Sequence, residues 1–275
     1  MAYAFEHDET LTAAIPRLMN EQIVRAREQL TDQSAPAEKR VHDARKRFKE
    51  TRALLRMIRK PLCAQFAVEN AWFRDAGRDL AAVRDADAVL EALEKLELPR
   101  AVRSKVSRAL KAKRAHPPLE GLIANTLDQL VVAQARVGLW PRMPDSFDTI
   151  GDGLRKTYGD GRQAMKHAHS PEALHEWRKL VKTHWYHVQL LRNIWPPLMK
   201  ACAGELDDLS HALGDHHDLH VLAASVEPAP RELLKAVTTR QHELETQAFA
   251  LGARIYAEGP QAFLTRMRSW WRAWR

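Results

Sequence analysis

The feature that most constrains this chain is a duplication. VHDARKRFKETRALLRMIR, starting at Val41, and LHEWRKLVKTHWYHVQLLR, starting at Leu174, align without a gap at an offset of 133 residues. His42 meets His175, Arg45 meets Arg178, Lys46 meets Lys179, Lys49 meets Lys182 and Arg59 meets Arg192. The same offset carries Asp75 onto Asp208, Leu80 onto Leu213 and Asp85 onto Asp218. A register that survives the intervening loops is the mark of a repeated structural unit rather than of chance. The 275 residues then divide into a first unit at 1–138 and a second at 139–275. Each is long enough for four or five helices, which suits a four-helix bundle.

An all-α fold is expected throughout. Ala, Leu, Arg, Lys and Glu dominate, glycine is sparse, and alternating β-branched runs are missing. Proline and glycine punctuate helix-sized pieces, several times placing Pro just inside a new start, as at Ser170-Pro171 and Gly259-Pro260. The pattern predicts helices near 6–30, 37–60, 63–95, 99–114, 118–137, 147–168, 171–194, 197–226, 230–257 and 260–273.

Charge is concentrated rather than spread. The segment Lys39–Lys60 holds ten Lys or Arg against two acids, so its excess equals the net +8 of the whole chain. At 100° per residue, His42, Arg45, Lys46, Lys49, Arg52, Arg56 and Arg59 share one side of a helix. Ala44, Phe48, Thr51, Leu55 and Ile58 occupy the other, which is expected to be buried. In the second copy His175, Arg178, Lys179, Lys182 and Arg192 take the cationic phases, and Trp177, Val181, His184, Val188 and Leu191 the buried ones. A solvated face ordinarily mixes signs at i,i+4. These rows are nearly free of acids, so they repel themselves unless an anion or neighbouring carboxylates neutralise them. Arg103 and Lys111, in the acid-free run Arg100–Arg114, and Arg155 and Arg162, ahead of the second row, are further candidate cations. Asp85 and Asp218 are expected to orient or neutralise the rows.

Such rows suit a polyanion: nucleic acid, polyphosphate or anionic lipid. Arg offers a planar fork for bidentate contact and Lys a compact point charge. Binding should release counterions and weaken steeply with salt. A bound phosphate would favour protonation of His42 and His175, so tighter binding is expected in mild acid. The second row is the weaker one, with Trp185 in place of Arg52 and Gln189 in place of Arg56.

At these residues the chain resembles the CHAD domain family. HDARKRFKETR and HEWRKLVKTHWY match its histidine-led basic helix, and LAAVRDAD at Leu80 and LGDHHDLH at Leu213 match its later Leu-Gly-x-x-(Arg/His)-Asp motif, with Ala81 where the second copy has Gly214. The resemblance covers about residues 5 to 270. It implies two tandem four-helix bundles related by a pseudo-two-fold axis, a basic central groove or pore, binding of inorganic polyphosphate, and localisation to polyphosphate granules in the cytoplasm. The Glu-x-Glu-x-Lys motif of the triphosphate-processing domain fused to some members is missing, so no enzyme activity, cofactor or metal is expected. Phosphate or sulfate is expected to occupy the same site.

Two rival readings stay open. His42-Asp43, with Asp215, His216, His217, Asp218 and His220, resembles the ligand set of a helical His-Asp metal-dependent phosphohydrolase. The excess of cations would also serve non-specific nucleic-acid binding, although no aromatic platform interleaves the rows. The two cysteines, Cys63 and Cys202, make no disulfide framework, so a reducing compartment is expected. Neither a signal peptide nor a membrane span is legible. Arg266–Arg275, with three Trp among four Arg, is expected to pack on the second unit or to lean on a surface.

Overall fold

The computed structural model describes residues 3–80, 85–112 and 119–275, the side chains of 85–87 excepted. The described residues form helices and their connections, with no strand among them. In chain order these are α1 (Leu11–Thr31), α2 (Ala37–Met57), α3 (Arg59–Leu62), α4 (Ala64–Asp79), α5 (Asp85–Glu94), α6 (Arg100–Ala112), α7 (Glu120–Val137), α8 (Asp148–His167), α9 (Pro171–Leu190), α10 (Pro196–Ser225), α11 (Arg231–Ile255) and α12 (Pro260–Trp274).

The punctuation explains most boundaries. Ser170 caps α9, its hydroxyl accepting from the amide of Ala173 at 3.2 Å, and Pro171 fills the first turn, where a missing N–H costs nothing. Pro196 and Pro260 open α10 and α12 in the same way. Four boundaries differ from the expected ones, one being the end of α9, at Leu190 instead of residue 194. The first helix starts at Leu11 instead of residue 6, because Thr10 caps it. The basic helix stops at Met57, and a single-turn α3 precedes a break at Cys63, whose φ of 50° lies in the left-handed region. The expected helix at 63–95 appears as two, α4 and α5.

In the first half α2 packs on α1 and α4, and α1 on α7. In the second, α9 packs on α8 and α10, α10 on α11, and α12 on α8. The expected buried phases are buried in both basic helices: Ala44, Phe48, Thr51, Leu55 and Ile58, and Trp177, Val181, His184, Val188 and Leu191. Each large apolar side chain so enclosed contributes roughly 1.5 to 3 kcal/mol.

A second buried face on each helix escaped the periodicity. Ala53, Leu54 and Met57 on α2, and Thr183, Tyr186, His187 and Leu190 on α9, are buried as well. The cause is contact between the halves, for α2 packs on α9 and on α8, and α5 packs on α10. At the α2–α9 contact the buried His187 donates from Nε2 to the carbonyl of Ala53 at 2.8 Å. Close approach of α8 requires Gly153. A Cβ there would stand 2.0 Å from the carbonyl oxygen of Met57. Ahead of α1 the chain is sewn across the same junction: Tyr3 donates to the Glu50 carbonyl at 2.5 Å, and the Phe5 amide to the Leu190 carbonyl at 2.9 Å. The expected division at 138/139 falls at the end of α7.

The C-terminal helix packs inward. Trp271 is buried against Phe5 and Phe147, and Arg275 donates to the carbonyls of His7 and Glu9. No described helix is long and apolar enough to cross a membrane. Cys63 is exposed and Cys202 half-buried, both as free thiols.

Candidate functional site

The cations of α2 do not all point one way. Arg40 is buried and donates to the last-turn carbonyl of Leu30 at the end of α1, while Arg47 turns to Glu50 and Gln22. These two serve the packing of α1 on α2. His42, Arg45, Lys46, Lys49, Arg52, Arg56 and Arg59 make up the remaining side. His42 and Arg45 are half-buried, Lys46 and Lys49 exposed, and Arg45 Nε donates to the Gly77 carbonyl of α4 at 3.1 Å. Arg59 lies over the Phe66 ring at 5.4 Å.

Arg52 and Arg56 are the informative pair. Both are half-buried, and both are held by neutral acceptors: Arg52 Nε by Asn70 Oδ1 of α4 at 3.2 Å, Arg56 Nη1 by Thr183 Oγ1 of α9 at 2.6 Å. Burial, then the neighbouring charges of Arg56, Arg74 and Arg78, push the Arg52 guanidinium down to about 10. Burial likewise lowers Arg56. The nearest acids are otherwise engaged. Asp75 accepts two hydrogen bonds from Arg74, and Asp160 pairs with Lys156 at 2.9 Å. A half-buried cation in a field of like charge costs a few kcal/mol that an incoming anion returns.

The second row comes within electrostatic reach of the first at Lys182 and Lys46. Lys182 is pushed down by burial first and then by the charges of Arg178 and of Lys46, the latter a residue of α2. It pairs loosely with Asp207 at 3.3 Å, and its ammonium sits 4.0 Å from the Trp185 ring centre, so the residue replacing Arg52 in the repeat becomes a cation–π partner. Lys179 pairs with Glu176 at 2.6 Å. Gly214 on α10 lets Arg178 lie flat on the helix, since a Cβ there would stand 3.0 Å from Nη2. The His175 ring stacks on His217 of α10 with centres 3.8 Å apart, and Nδ1 of His175 is buried without a hydrogen-bond partner. Arg192 is half-buried just beyond α9.

The outlying candidates have structural work. Arg162 Nε donates to the Tyr256 carbonyl at the end of α11, at 3.1 Å. Arg103 donates to the Leu96 carbonyl at 2.8 Å and stands 3.7 Å from Glu94. Arg155 is exposed, 3.9 Å from Asp152, and Lys111 is exposed in the last turn of α6. The Asp85 side chain lies outside the described residues, as do Ala81 and Arg84. Asp218 lines a cleft of about 650 Å³ between α5, α10 and α11, beside the Lys95–Asp215 ion pair of 2.8 Å.

Arg74 and Arg78 escaped the sequence reading, although their i,i+4 spacing on the helix that follows the first row was a usable signal. Asn70 and Thr183 carried none, being neutral acceptors brought in by tertiary packing.

The ligand set of the phosphohydrolase reading is dispersed. The buried His216 bonds Glu245 of α11 at 2.9 Å, while the adjacent His217 stacks on His175. Among the described residues no three His, Cys, Asp or Glu side chains converge as a metal ion requires.

The family model of the CHAD domain matches residues 17–227, which contain both basic helices and both downstream motifs. The chain belongs to the CHAD domain family. That family is associated with polyphosphate binding. The crystal structure of the CHAD domain from the plant Ricinus communis is similar over the whole of this chain and 96% of that one, with a TM-score of 0.51 at 18% identity. At that identity the likeness speaks for the fold, and it extends the match through α11 and α12. No curated relative matches the chain.

Proposed function

We propose that this CHAD domain binds inorganic polyphosphate between the rows of α2 and α9, related by an approximate two-fold axis, and acts as a non-catalytic adaptor to polyphosphate granules in the cytoplasm. The repeat offset supports the symmetric part of this reading: shifted by 133, the bounds of α2 become 170–190, against Pro171–Leu190 for α9. One observation carries the proposal. Arg52 and Arg56 are half-buried, rest on Asn70 and Thr183, and sit among further cations. A phosphate chain supplies the negative charge that such a cluster lacks, and its flexible repeat lets successive phosphates meet successive helical turns. Phosphate or sulfate would occupy single positions of the same site.

A titration with long-chain polyphosphate tests this. Wild type is compared with Arg45→Glu/Lys49→Glu and with Arg178→Glu/Lys182→Glu, with helicity checked by circular dichroism. Loss of binding by the folded variants supports the site, and unchanged binding moves it elsewhere. Duplex DNA added as competitor at physiological salt separates the nucleic-acid reading, for it should displace polyphosphate poorly. Released phosphate and bound metal, assayed on the same samples, address the phosphohydrolase.

A further inference from the structure

We infer that His217, stacked on His175 where α9 meets α10, is itself a phosphate-binding residue of the second row, and that its charge is delivered by a proton taken up with the ligand. This rests on the polyphosphate reading and adds to it a residue and a form of regulation.

Two imidazoles with centres 3.8 Å apart and planes 29° apart form a face-to-face contact that tolerates two neutral rings, or one charged, far better than two charges. Both rings belong to helices that carry the row: His175 precedes Arg178 and Lys179 on α9, and His217 follows Gly214, the residue on which Arg178 lies. His175 Nδ1 is buried without a partner, so a donor or acceptor is available there once a ligand arrives.

The surrounding charges are mostly positive. Burial, then His175, Arg178, His220 and Lys179, hold His217 at about 4. Burial, Lys179 and Arg178 lower His175, with Glu176 opposing them. The neighbouring acids are otherwise disposed. Glu172 at the start of α9 bonds Ser170 and feels His220, Asp215 is held by Lys95 of α5, and Glu245 of α11 bonds His216. Asp218 lines the cleft on the α5–α11 side, and Lys46 reaches the row from α2. Asp85 and Asp87 of α5 lie outside the described side chains.

The sequence adds an independent point. At the repeat offset, His217 stands where the first half has Arg84. One half carries a permanent cation at this motif position, and the other a group that becomes a cation only on protonation. A phosphate chain laid along the second row cancels the field of Arg178 and Lys179, and accepts a hydrogen bond from the imidazolium. The proton is drawn from the buffer, so the free and bound states differ in proton content and affinity depends on pH. If the ligand restores His217 to the ordinary range near 6.5, affinity at pH 6 should exceed that at pH 8 by about fourfold, with uptake of about three-quarters of a proton at pH 6.

The test is calorimetric titration with long-chain polyphosphate, whose interior phosphates keep their charge across this range, at pH 6 and pH 8. At pH 6 two buffers of different ionisation enthalpy report the proton count. Wild type, His217→Arg and His217→Gln are compared. The Arg variant should bind at pH 8 about as tightly as wild type does at pH 6. The Gln variant should lose the part of the pH response that His217 supplies, keeping only what His42 and His175 contribute, and both variants should take up fewer protons. Binding by wild type that is equal at the two pH values without proton uptake, or an unaltered pH response in the Gln variant, overturns the inference and leaves the polyphosphate reading standing. Wild type that binds at neither pH overturns that reading, and the inference with it.

Discussion

Acidification should destabilise this protein through two buried histidines of α9, His184 in the core of the second half and His187 at the contact between the halves. His184 is buried among Tyr158, Tyr256 and Phe263, and its Nδ1 has no hydrogen-bond partner. His187 is fully buried and spends Nε2 on the Ala53 carbonyl. Burial above all holds His184 at about 3 and His187 at about 4, with smaller effects from His187 and Arg266 on the first and from Arg56 on the second. In the unfolded chain both would titrate near 6.5. The folded values are depressed, so as pH falls below about 6.5 the unfolded chain takes up protons that the folded one refuses. Stability present at neutral pH is therefore lost progressively down to about pH 4 and pH 3. At pH 5 the solution is about 1.5 units below the unfolded value and still above both folded ones, so each group costs about 2 kcal/mol, or about 4 kcal/mol for the pair. That is a large share of the 5 to 15 kcal/mol typical of a domain. Urea unfolding at pH 7 and pH 5, followed by circular dichroism, measures the loss. His184→Phe/His187→Gln keeps an aromatic ring and an N–H donor without the titration, and should show about 4 kcal/mol less acid destabilisation than wild type. Equal losses in the two proteins would refute the reasoning, since the carboxylates are common to both.

Three further outcomes follow from the geometry. Gly153→Ala sets a methyl against the Met57 carbonyl at the α2–α8 approach, and should lower stability by about 1 to 3 kcal/mol or more in thermal unfolding. Gly214→Ala pushes the Arg178 guanidinium off α10, and should weaken polyphosphate binding several-fold with little change in melting temperature. Thr183→Val removes the acceptor of Arg56 while keeping the shape, and should cost about 1 to 3 kcal/mol in the free protein, with part of the loss recovered when polyphosphate is added to the melt.

What the sequence disclosed depended on whether the cause was local. Caps and prolines act within a turn, so Ser170-Pro171 and Gly259-Pro260 were legible as helix starts and are α9 and α12. The core-facing phases of α2 and α9 were legible because one bundle buries one stripe. The second buried faces were not, since Ala53 and His187 are enclosed by the other half of the molecule, at a separation no periodicity reaches. The break between α2 and α4 rests on the backbone at Cys63, which is not a residue type that announces the left-handed region. Within the candidate site the fixed charges were legible as rows. The sorting of those charges was not: Arg40 and Arg47 are claimed by α1, Arg162 by the end of α11, and Arg103 by the turn after α5. Arg74 and Arg78 come near Arg52, and His217 stacks on His175, through helices that meet the rows only after folding.

The salt dependence of polyphosphate affinity tests most directly whether both rows hold one polymer. Log affinity against log salt concentration should fall steeply for wild type. In Arg178→Glu/Lys182→Glu the slope should be shallower by about 1.4, near 0.7 for each phosphate that the variant no longer neutralises. An identical slope in that variant, with wild type binding intact, would mean that α9 never touches the phosphate chain.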